Sequence, residues 1–340
     1  MTASVGSEVA LSLQSLIERK GREAIDWPLL GELGLLGIAV PEEHGGLGLA
    51  PRDAVPAIGI LAENLVNLPY LECVLLPTLL LNEAGGENAE RKLRQIAEGT
   101  ARVALASEDG KRTLTAKRAG DQWCLDGDKV LAIGDANCDA CIVLAASGHD
   151  RLAFLLDTSE LDRQAYSTID ELPAFDLAFK DQLVPQSCLL PLDTHAIDRA
   201  MDFGIAGLCA QAAAITMRLV TDTRDYCRNR EQFGQSIASF QVIQHRLVDM
   251  YMEARRASAA LSMAQKAIST FGEDRIRTLS AAKVTICDAG RFVGQNAVQL
   301  HGGMGMTSEL SISHLFKKLT AIESAFGTRD RHLQRYAQAS

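Results

Sequence analysis

The chain has 340 residues, of which 47% are hydrophobic, and its formal net charge is −9 at pH 7. This length fits two or three compact domains, and the hydrophobic fraction excludes a disordered chain. The acidic balance argues against nucleic acid as the main partner, because phosphate-backbone binding needs clustered Lys and Arg. A small anionic ligand, which needs only a local pocket of donors, is not excluded.

The first residues, MTASVGSEVALSLQSLIERKG, have no basic stretch followed by an apolar core, so they do not have the pattern of a signal peptide. No window holds about 18 uninterrupted apolar residues, and we therefore predict no transmembrane helix. The expectation is a cytoplasmic protein without a membrane partner.

The eight cysteines are scattered, and most lie in apolar runs such as IAGLCAQAAAI. This pattern predicts buried free thiols in a reducing compartment. Cys138 and Cys141 have CxxC spacing, but no second such pair and no nearby histidine completes a zinc site. We therefore predict no metal site.

Residues 1–100 have the apolar spacing of helices, interrupted at AVPEEHGGLGLAP by proline and glycines. Residues 101–192 are short runs of strand-forming residues separated by turns. One of them, AKRAGDQWCLDGDKV, predicts two strands joined by a turn around Gly120. We predict a helical N-terminal domain and a small antiparallel β barrel or sandwich in the middle.

Residues 193–340 return to the helical period and contain four long amphipathic stretches. The first is rich in Ala and Gly, which lets another helix approach closely, and the third ends at Gly302-Gly303. These features predict a C-terminal four-helix bundle. The fold class is therefore mainly α with a small β domain.

Three stretches carry a resemblance to a known family. They are WPLLGELGLLGIAVPEEHGGLGL, YCRNREQFGQSIASFQVIQHRLVDM and AVQLHGGMGMTSELSISHLFKK. In this order they resemble the N-terminal stretch, the second signature and the Q-x-x-G-G region of the acyl-CoA dehydrogenases. The resemblance covers nearly the whole chain. It implies FAD as cofactor, an acyl-CoA as substrate and an electron-transfer flavoprotein as electron acceptor.

In that family, one subunit contributes an Arg-x-x-Phe-Gly turn to a flavin that its neighbour mainly holds, so the cofactor is shared across a subunit interface. A charged guanidinium fork and glycine backbone at a helix end suit a diphosphate. The residues that the resemblance assigns to FAD are Arg230, Gln232, Phe233, Gln241, Gln299, His301, Gly302, Gly303 and Thr328.

The chain departs from the family where a subunit covers its own flavin. The usual T-E-P-x-x-G-S-D is replaced by ALASEDGKRTLTAKRAG, of which Ser107, Glu108 and Asp109 are a poor remnant. The usual Trp of the next strand is missing, and Leu131 or Ala132 cannot stack as an indole does. We expect the chain to hold a flavin of its own weakly.

The catalytic base is also missing. In most members a glutamate precedes Gly-Thr after the Gly-Gly motif, and here Phe326 precedes Gly327-Thr328. In branched- and long-chain members the glutamate lies on the first bundle helix, where this chain has Gly204. No carboxylate occupies either position. The weak candidates nearby are Glu323 and Asp202.

The chain thus keeps the half of the site that serves a neighbour and lacks the half that serves itself. It resembles the short, base-less subunit of the heterotetrameric bacterial enzymes of steroid side-chain degradation. That likeness implies a non-catalytic subunit in β-oxidation of a cholesterol side chain or another bulky acyl-CoA. The partner would be a second acyl-CoA dehydrogenase subunit.

Two other functions stay open at this point. One is a homotetrameric acyl-CoA dehydrogenase whose base is displaced to Glu323 or Asp202. The other is a non-catalytic binding or scaffold protein on the same fold. A ferritin-like di-iron bundle is rejected, because none of the seven histidines follows a glutamate by three residues.

Overall fold

The computed structural model describes residues 5–135, 137–270 and 272–339. The chain forms two compact units, Met1–Ala54 with Asn67–Gly204 and Val55–Val66 with Ile205–Ser340. The α-helices of the described residues are α1 (Val5–Lys20), α2 (Trp27–Glu32), α3 (Val55–Glu63), α4 (Leu76–Ala84), α5 (Glu87–Ala97), α6 (Thr194–Asn229), α7 (Gln241–Ala267), α8 (Glu273–His301), α9 (Ser311–Ser324) and α10 (Arg329–Gln338).

The helices of the first unit follow from short-range signals in the sequence. α1 buries Ala10, Leu13 and Ile17, which recur at helical spacing on one face. α2 begins where the side chain of Asp26 accepts a hydrogen bond from the backbone N–H of Leu29 at 3.0 Å. A single π turn, Leu71–Leu75, leads into α4. The expected helical N-terminal stretch is therefore present.

One sheet dominates the rest of this unit. Its strands are β1 (Val103–Ala106), β2 (Glu108–Asp109), β3 (Thr115–Ala119), β4 (Gln122–Ile133), β5 (Ala140–Ser147), β6 (Asp150–Asp157), β7 (Arg163–Ser167), β8 (Pro173–Pro185) and β9 (Leu189–Leu190). They run in the order β7-β8-β4-β1-β5-β6-β9, and β2 and β3 pair beside β4. Most neighbours are antiparallel, as the sequence predicts, but β1 and β3 each pair with β5 in parallel.

The second unit is helical and is packed through small residues. The inner face of α7 consists mainly of alanines, among them Ala254, Ala257 and Ala264. On α8, a Cβ atom at Gly294 would lie 2.7 Å from the ring of Phe316 on α9. Small residues at these contacts let the helices approach closely. The predicted bundle of α6 to α9 is extended by α10, which packs against α8.

α6 is the long helix that the sequence predicts. Its 36 residues include a window apolar and long enough to cross a membrane, but 78% of that window is buried inside the protein. The core helix of a globular protein has the same composition, so this helix by itself is weak support for a membrane span.

Candidate functional site

The candidate site begins where α6 ends. The backbone N–H of Arg230 donates to the carbonyl oxygen of Tyr226 at 2.9 Å, and the chain then leaves the helix. Two short strands follow, β10 (Glu231–Gln232) and β11 (Gln235–Ser236), joined by Phe233 and Gly234. Both turn residues have positive φ, 53° and 77°. Two positive φ values are typical of a type I′ hairpin turn, so the Phe-Gly pair folds the chain sharply back.

The hairpin displays its functional candidates to the outside. The ring of Phe233 is 91% exposed and lies near the ring of Phe240, with ring centroids 6.2 Å apart. The side chains of Arg230 and Gln232 are exposed and make no hydrogen bond or ion pair with the described residues. A bulky side chain at positive φ costs backbone strain, and such strain concentrates at functional sites.

Ser236 fixes the hairpin to the end of α6. Its hydroxyl donates to the carbonyl oxygens of Cys227, at 2.9 Å, and Arg228, at 3.0 Å. The same hydroxyl accepts the backbone N–H of Ala238 at 3.3 Å. Carbonyl groups at the end of a helix have no partner within the helix, so this serine both caps α6 and orients the hairpin.

The second half of the site is the end of α8. Gln299 is exposed on its last turn, and Gly302 ends the helix with φ +63°, a conformation that favours glycine. Gly303 is different, because its φ is not positive and a Cβ atom there would meet nothing within 4 Å. The packing of the chain therefore does not require glycine at position 303. A ligand that approaches the backbone closely would require it, because any Cβ atom would be in its way.

An aromatic stack connects the two halves. The rings of Tyr226 on α6 and His301 on α8 lie 4.2 Å apart at an angle of 26°. His301 is buried, and its Nδ1 lies 2.8 Å from the carbonyl oxygen of Ala297, the geometry of an Nδ1–H donor. Burial lowers the pKa of this imidazole below its ordinary value. The neutral ring thus holds the hairpin and the Gly302-Gly303 turn side by side.

Two further predicted residues lie at helix starts. Gln241 is the first residue of α7, which has no side-chain cap and no acidic residue in its first turn. Its free N–H groups form a region that favours negative charge. Thr328 caps α10, where its hydroxyl accepts the backbone N–H of Arg331 at 3.4 Å. A contact of Gln241 or Thr328 with a cofactor stays a prediction.

The two candidate bases are poorly placed for proton abstraction. Glu323 is held by Arg291, whose Nε donates to one carboxylate oxygen at 3.2 Å and whose Nη2 donates to the other. Accepting a proton would require breaking this paired contact. Asp202 is 1% exposed on α6. Neither geometry supports the displaced-base alternative.

The segment in which the family resemblance implies a catalytic glutamate, and where this chain has Phe326, is held by several contacts. Phe326 has φ +53° and Gly327 φ +108°. The ammonium group of Lys283, which is fully buried, donates to the carbonyl oxygen of Ala325 at 3.0 Å and to that of Ile322. His332 lies with Nε2 3.2 Å from the carbonyl oxygen of Phe326. A buried cation at the end of α9 also complements the helix dipole.

In the first unit, an ion pair fixes the segment Ser107–Asp109, the remnant of the family's T-E-P-x-x-G-S-D stretch. The ammonium group of Lys129 is 2.7 Å from a carboxylate oxygen of Asp109 and 3.1 Å from the carbonyl oxygen of Ser107. Lys129 is 3% exposed, and burial, the main cause, lowers its pKa despite the pull of Asp109. The remnant Ser107–Asp109 is thus tied to the sheet rather than free to cover a ligand.

Leu131 occupies a bulge of β4, at the place where the family resemblance implies a tryptophan. Its φ is +55°, and its backbone N–H donates to the hydroxyl of Tyr166 at 3.1 Å and to Asp176 at 3.0 Å. The side chain is 38% exposed. An aliphatic chain held in this way offers no aromatic face to a flavin ring.

Sequence reasoning missed Tyr226, Lys283 and His332. Tyr226 stands one helical turn before Arg230, which was the available signal for a residue that supports the hairpin. Lys283 and His332 gave no signal, because a lysine or histidine on an amphipathic helix ordinarily faces solvent. Among the described residues, no group of three or more His, Cys, Asp or Glu could hold a metal ion.

The fold agrees with the comparisons. Residues 194–340 match the model of the acyl-CoA dehydrogenase C-terminal domain, and residues 7–99 match that of the N-terminal domain. The chain belongs to the acyl-CoA dehydrogenase family. Members are oxidoreductases that act on CH–CH groups and bind FAD.

Particular relatives are similar along most of the chain. The probable acyl-CoA dehydrogenase YngJ of Bacillus subtilis (strain 168) is 28% identical over 88% of this chain and 85% of its own length. The ChsE4-ChsE5 complex from Mycobacterium tuberculosis contains a chain with a TM-score of 0.88 and 21% identity, covering 99% of this chain and 97% of that one. A variant of the steroid ACAD Tcur3481-Tcur3483 gives a TM-score of 0.85 at 23% identity, covering 99% and 95%.

Proposed function

We propose that this chain is a subunit of a heteromeric acyl-CoA dehydrogenase and lends the diphosphate-binding half of an FAD site to a catalytic partner subunit. The observation that carries the proposal is the outward display of the Arg230 and Phe233 side chains, together with a glycine at 303 that no packing contact requires. Arg230 would pair with the diphosphate, and the Gly303 backbone would approach it closely.

Two features argue that the chain does not complete a site of its own. Lys129 and Asp109 close the remnant of the loop that would cover a flavin, and Leu131 replaces the aromatic side chain. Glu323 is engaged by Arg291 and Phe326 stands in the usual base position. The partner must therefore contribute the glutamate that removes the α-proton of the thioester.

FAD, when bound, provides the acceptor for the hydride that leaves the β-carbon of the acyl-CoA. The residues of this chain would fix the cofactor and exclude water at its diphosphate end. Fixed donors need no reorganisation when the reaction occurs, which is the main contribution of such a site. An electron-transfer flavoprotein as acceptor and a cytoplasmic location are part of the proposal by analogy with the family.

A surface on α7 suits a protein partner. Opposite the buried alanines, the helix carries the exposed apolar side chains Val248 (56%), Met252 (62%) and Met263 (59%). They recur at helical spacing on one outward stripe. Exposed apolar stripes of this kind mark interaction sites, so we expect the isolated chain to self-associate or to be poorly soluble.

The most specific part of the proposal is the substrate class, a steroid side-chain acyl-CoA. It is supported by the similarity to ChsE4-ChsE5 and to the steroid ACAD Tcur3481-Tcur3483, whose names record a two-protein complex and a steroid enzyme. A bulky acyl-CoA would need more room than the active-site pocket of the partner subunit gives. The corresponding site of this chain, which lacks the base, would leave that room. A panel of straight-chain and steroid acyl-CoA thioesters, assayed with the complex, tests this step.

The test is co-expression with the candidate partner subunit, followed by flavin absorbance and a count of chains per flavin. We expect Arg230→Ala in this chain to lower flavin occupancy of the complex. Arg224→Ala is the matched control, because Arg224 is also exposed near the end of α6 and pairs with its neighbour Asp225. Equal occupancy in the wild type and both variants would contradict the proposal.

The homotetrameric alternative predicts a different result from the same preparations. The chain alone would bind about one FAD per subunit and reduce it with a thioester. The scaffold alternative predicts no flavin with or without a partner. Each outcome is read from the same absorbance measurement.

A further inference from the structure

Met252 is the most exposed side chain of the apolar stripe on α7. Val248 lies about one helical turn before it, and Met263 about three turns after it, on the same outward face. The opposite face of the helix is buried in the second unit through residues such as Met250 and Ala254. The stripe therefore takes no part in the core of that unit, and its side chains are open to another molecule.

Two opposite charges flank Met252 at nearly equal distances. Asp249 precedes it by three residues and Arg256 follows it by four, so both lie on the same side of the stripe, one turn before and one turn after Met252. Asp249 is exposed and makes no hydrogen bond or ion pair with the described residues. Arg256 contacts Glu253 at 2.6 Å, yet 53% of its side chain stays exposed. Both charges are therefore available to a second molecule.

This arrangement is the one that a two-fold contact between identical chains requires. In such an interface, a residue of one copy contacts a second residue of the other copy, and the reverse contact occurs as well. If two α7 helices run antiparallel and cross at Met252, Asp249 of each copy lies level with Arg256 of the other. A parallel pair would place like charges opposite each other, which is unfavourable. A helix of an unlike partner would need no such symmetry.

The same register also matches the apolar side chains. It places Met252 beside Met252 of the other copy, and it sets Met263 level with Val242, which is also 62% exposed. With a rise of about 1.5 Å per residue, the two Met252 residues lie about 1.5 Å apart along the helix direction, whereas the two Met263 residues lie about 30 Å apart. Charge and apolar surface thus agree on one register.

We propose that α7 is a contact surface between two copies of this chain, which pair in antiparallel fashion about a two-fold axis at Met252. Burial of the two Met252 side chains stabilises the contact, and two Asp249–Arg256 pairs between the copies fix its register. A single helix crossing is smaller than the standard interface of about 800 Å² per partner, so the contact is weak by itself. It would join two of the proposed heteromers, and this last step rests on the proposed function.

Disulfide trapping suits a weak two-fold contact, because a cysteine beside the axis lies near its own counterpart. Met252→Cys and Met263→Cys, at positions that are 62% and 59% exposed, are made separately in the full chain. Each variant is mildly oxidised, alone and in complex with the partner subunit, and analysed on a non-reducing gel. We expect a dimer of this chain from Met252→Cys, and at least about tenfold less from Met263→Cys, whose counterparts are too distant to bridge. The wild type gives the background of the eight native cysteines.

Charge reversal tests the register. Asp249→Arg should lower the dimer yield of Met252→Cys about fivefold, because it sets like charges opposite each other, and the further change Arg256→Asp should restore the yield. Equal yields from Met252→Cys and Met263→Cys, or a yield that ignores charge reversal, would overturn the proposal.

Counting flavin in the same samples separates this contact from the proposed function. Flavin in the complex without a Met252→Cys dimer would contradict the contact and leave the proposed function intact. A Met252→Cys dimer in a complex without flavin would support the contact and contradict the proposed function.

Discussion

Acidification from pH 8 to pH 5 should destabilise the second unit through His332. This imidazole is 1% exposed, and its Nε2 lies 3.2 Å from the carbonyl oxygen of Phe326. Burial is the largest cause that lowers its pKa from 6.5 to about 4, and the positive charges of Lys283, Arg335 and Arg331 act in the same direction. The folded protein therefore holds the ring neutral.

The sign and size of the effect follow from the two pKa values. Because the folded pKa is the lower one, the unfolded chain binds more protons between about pH 4 and 6.5, and stability falls as pH falls through this window. At pH 5 the imidazole is almost fully protonated in the unfolded chain, whereas about a tenth of it is protonated in the folded protein. Relative to pH 8, the free energy of unfolding therefore falls by about 2 kcal/mol at pH 5 and by about 3 kcal/mol near pH 4.

Urea unfolding followed by circular dichroism measures this loss. His332→Gln keeps a donor toward Phe326 but cannot titrate. As the pH falls from 8 to 5, the wild type should lose about 2 kcal/mol of unfolding free energy that the variant does not lose. His245→Gln, at an exposed position of α7, is the control and should keep the wild-type pH dependence. An equal pH dependence in wild type and His332→Gln would refute the reasoning.

Three other outcomes are expected. Glu323→Gln should change kcat/KM of the complex by less than about threefold, since a lost general base would cost about 10²–10⁴; a loss of that size would make Glu323 the base. Asp109→Asn should lower the urea-derived free energy of unfolding by about 1–3 kcal/mol, because it leaves the buried ammonium of Lys129 without its charged partner; no change would mean that the pair is solvated. Phe233→Ala, at a 91% exposed ring, should alter the same free energy by less than about 0.5 kcal/mol yet reduce flavin occupancy; unchanged occupancy would argue against a role in binding.

The helical parts of the fold could be predicted because their signals are local. The apolar period of residues 194–229 and the glycines at 302 and 303 set the ends of α6 and α8 close to where the structure has them. The Phe233-Gly234 pair likewise marked a turn. The parallel pairing of β1 with β5 could not be predicted, since strand order depends on contacts between distant segments.

The same distinction applies to the site. Arg230, Phe233 and Gly303 were predicted as site residues from motifs that are contiguous in the chain, and their contact with a cofactor stays a prediction. The pairing of Glu323 with Arg291, 32 residues away, is a tertiary contact that no local pattern shows. The pairing of Lys129 with Asp109 is of the same kind. Such contacts decide whether a carboxylate can act as a base, so the sequence alone left the displaced-base alternative open.

The central claim is most directly tested by counting flavins per chain in two preparations, the purified chain and its complex with the partner subunit. We predict a colourless chain alone, and a yellow complex with one FAD for each pair of unlike subunits. A purified chain that holds about one FAD per subunit and oxidises an acyl-CoA without a partner would contradict the account.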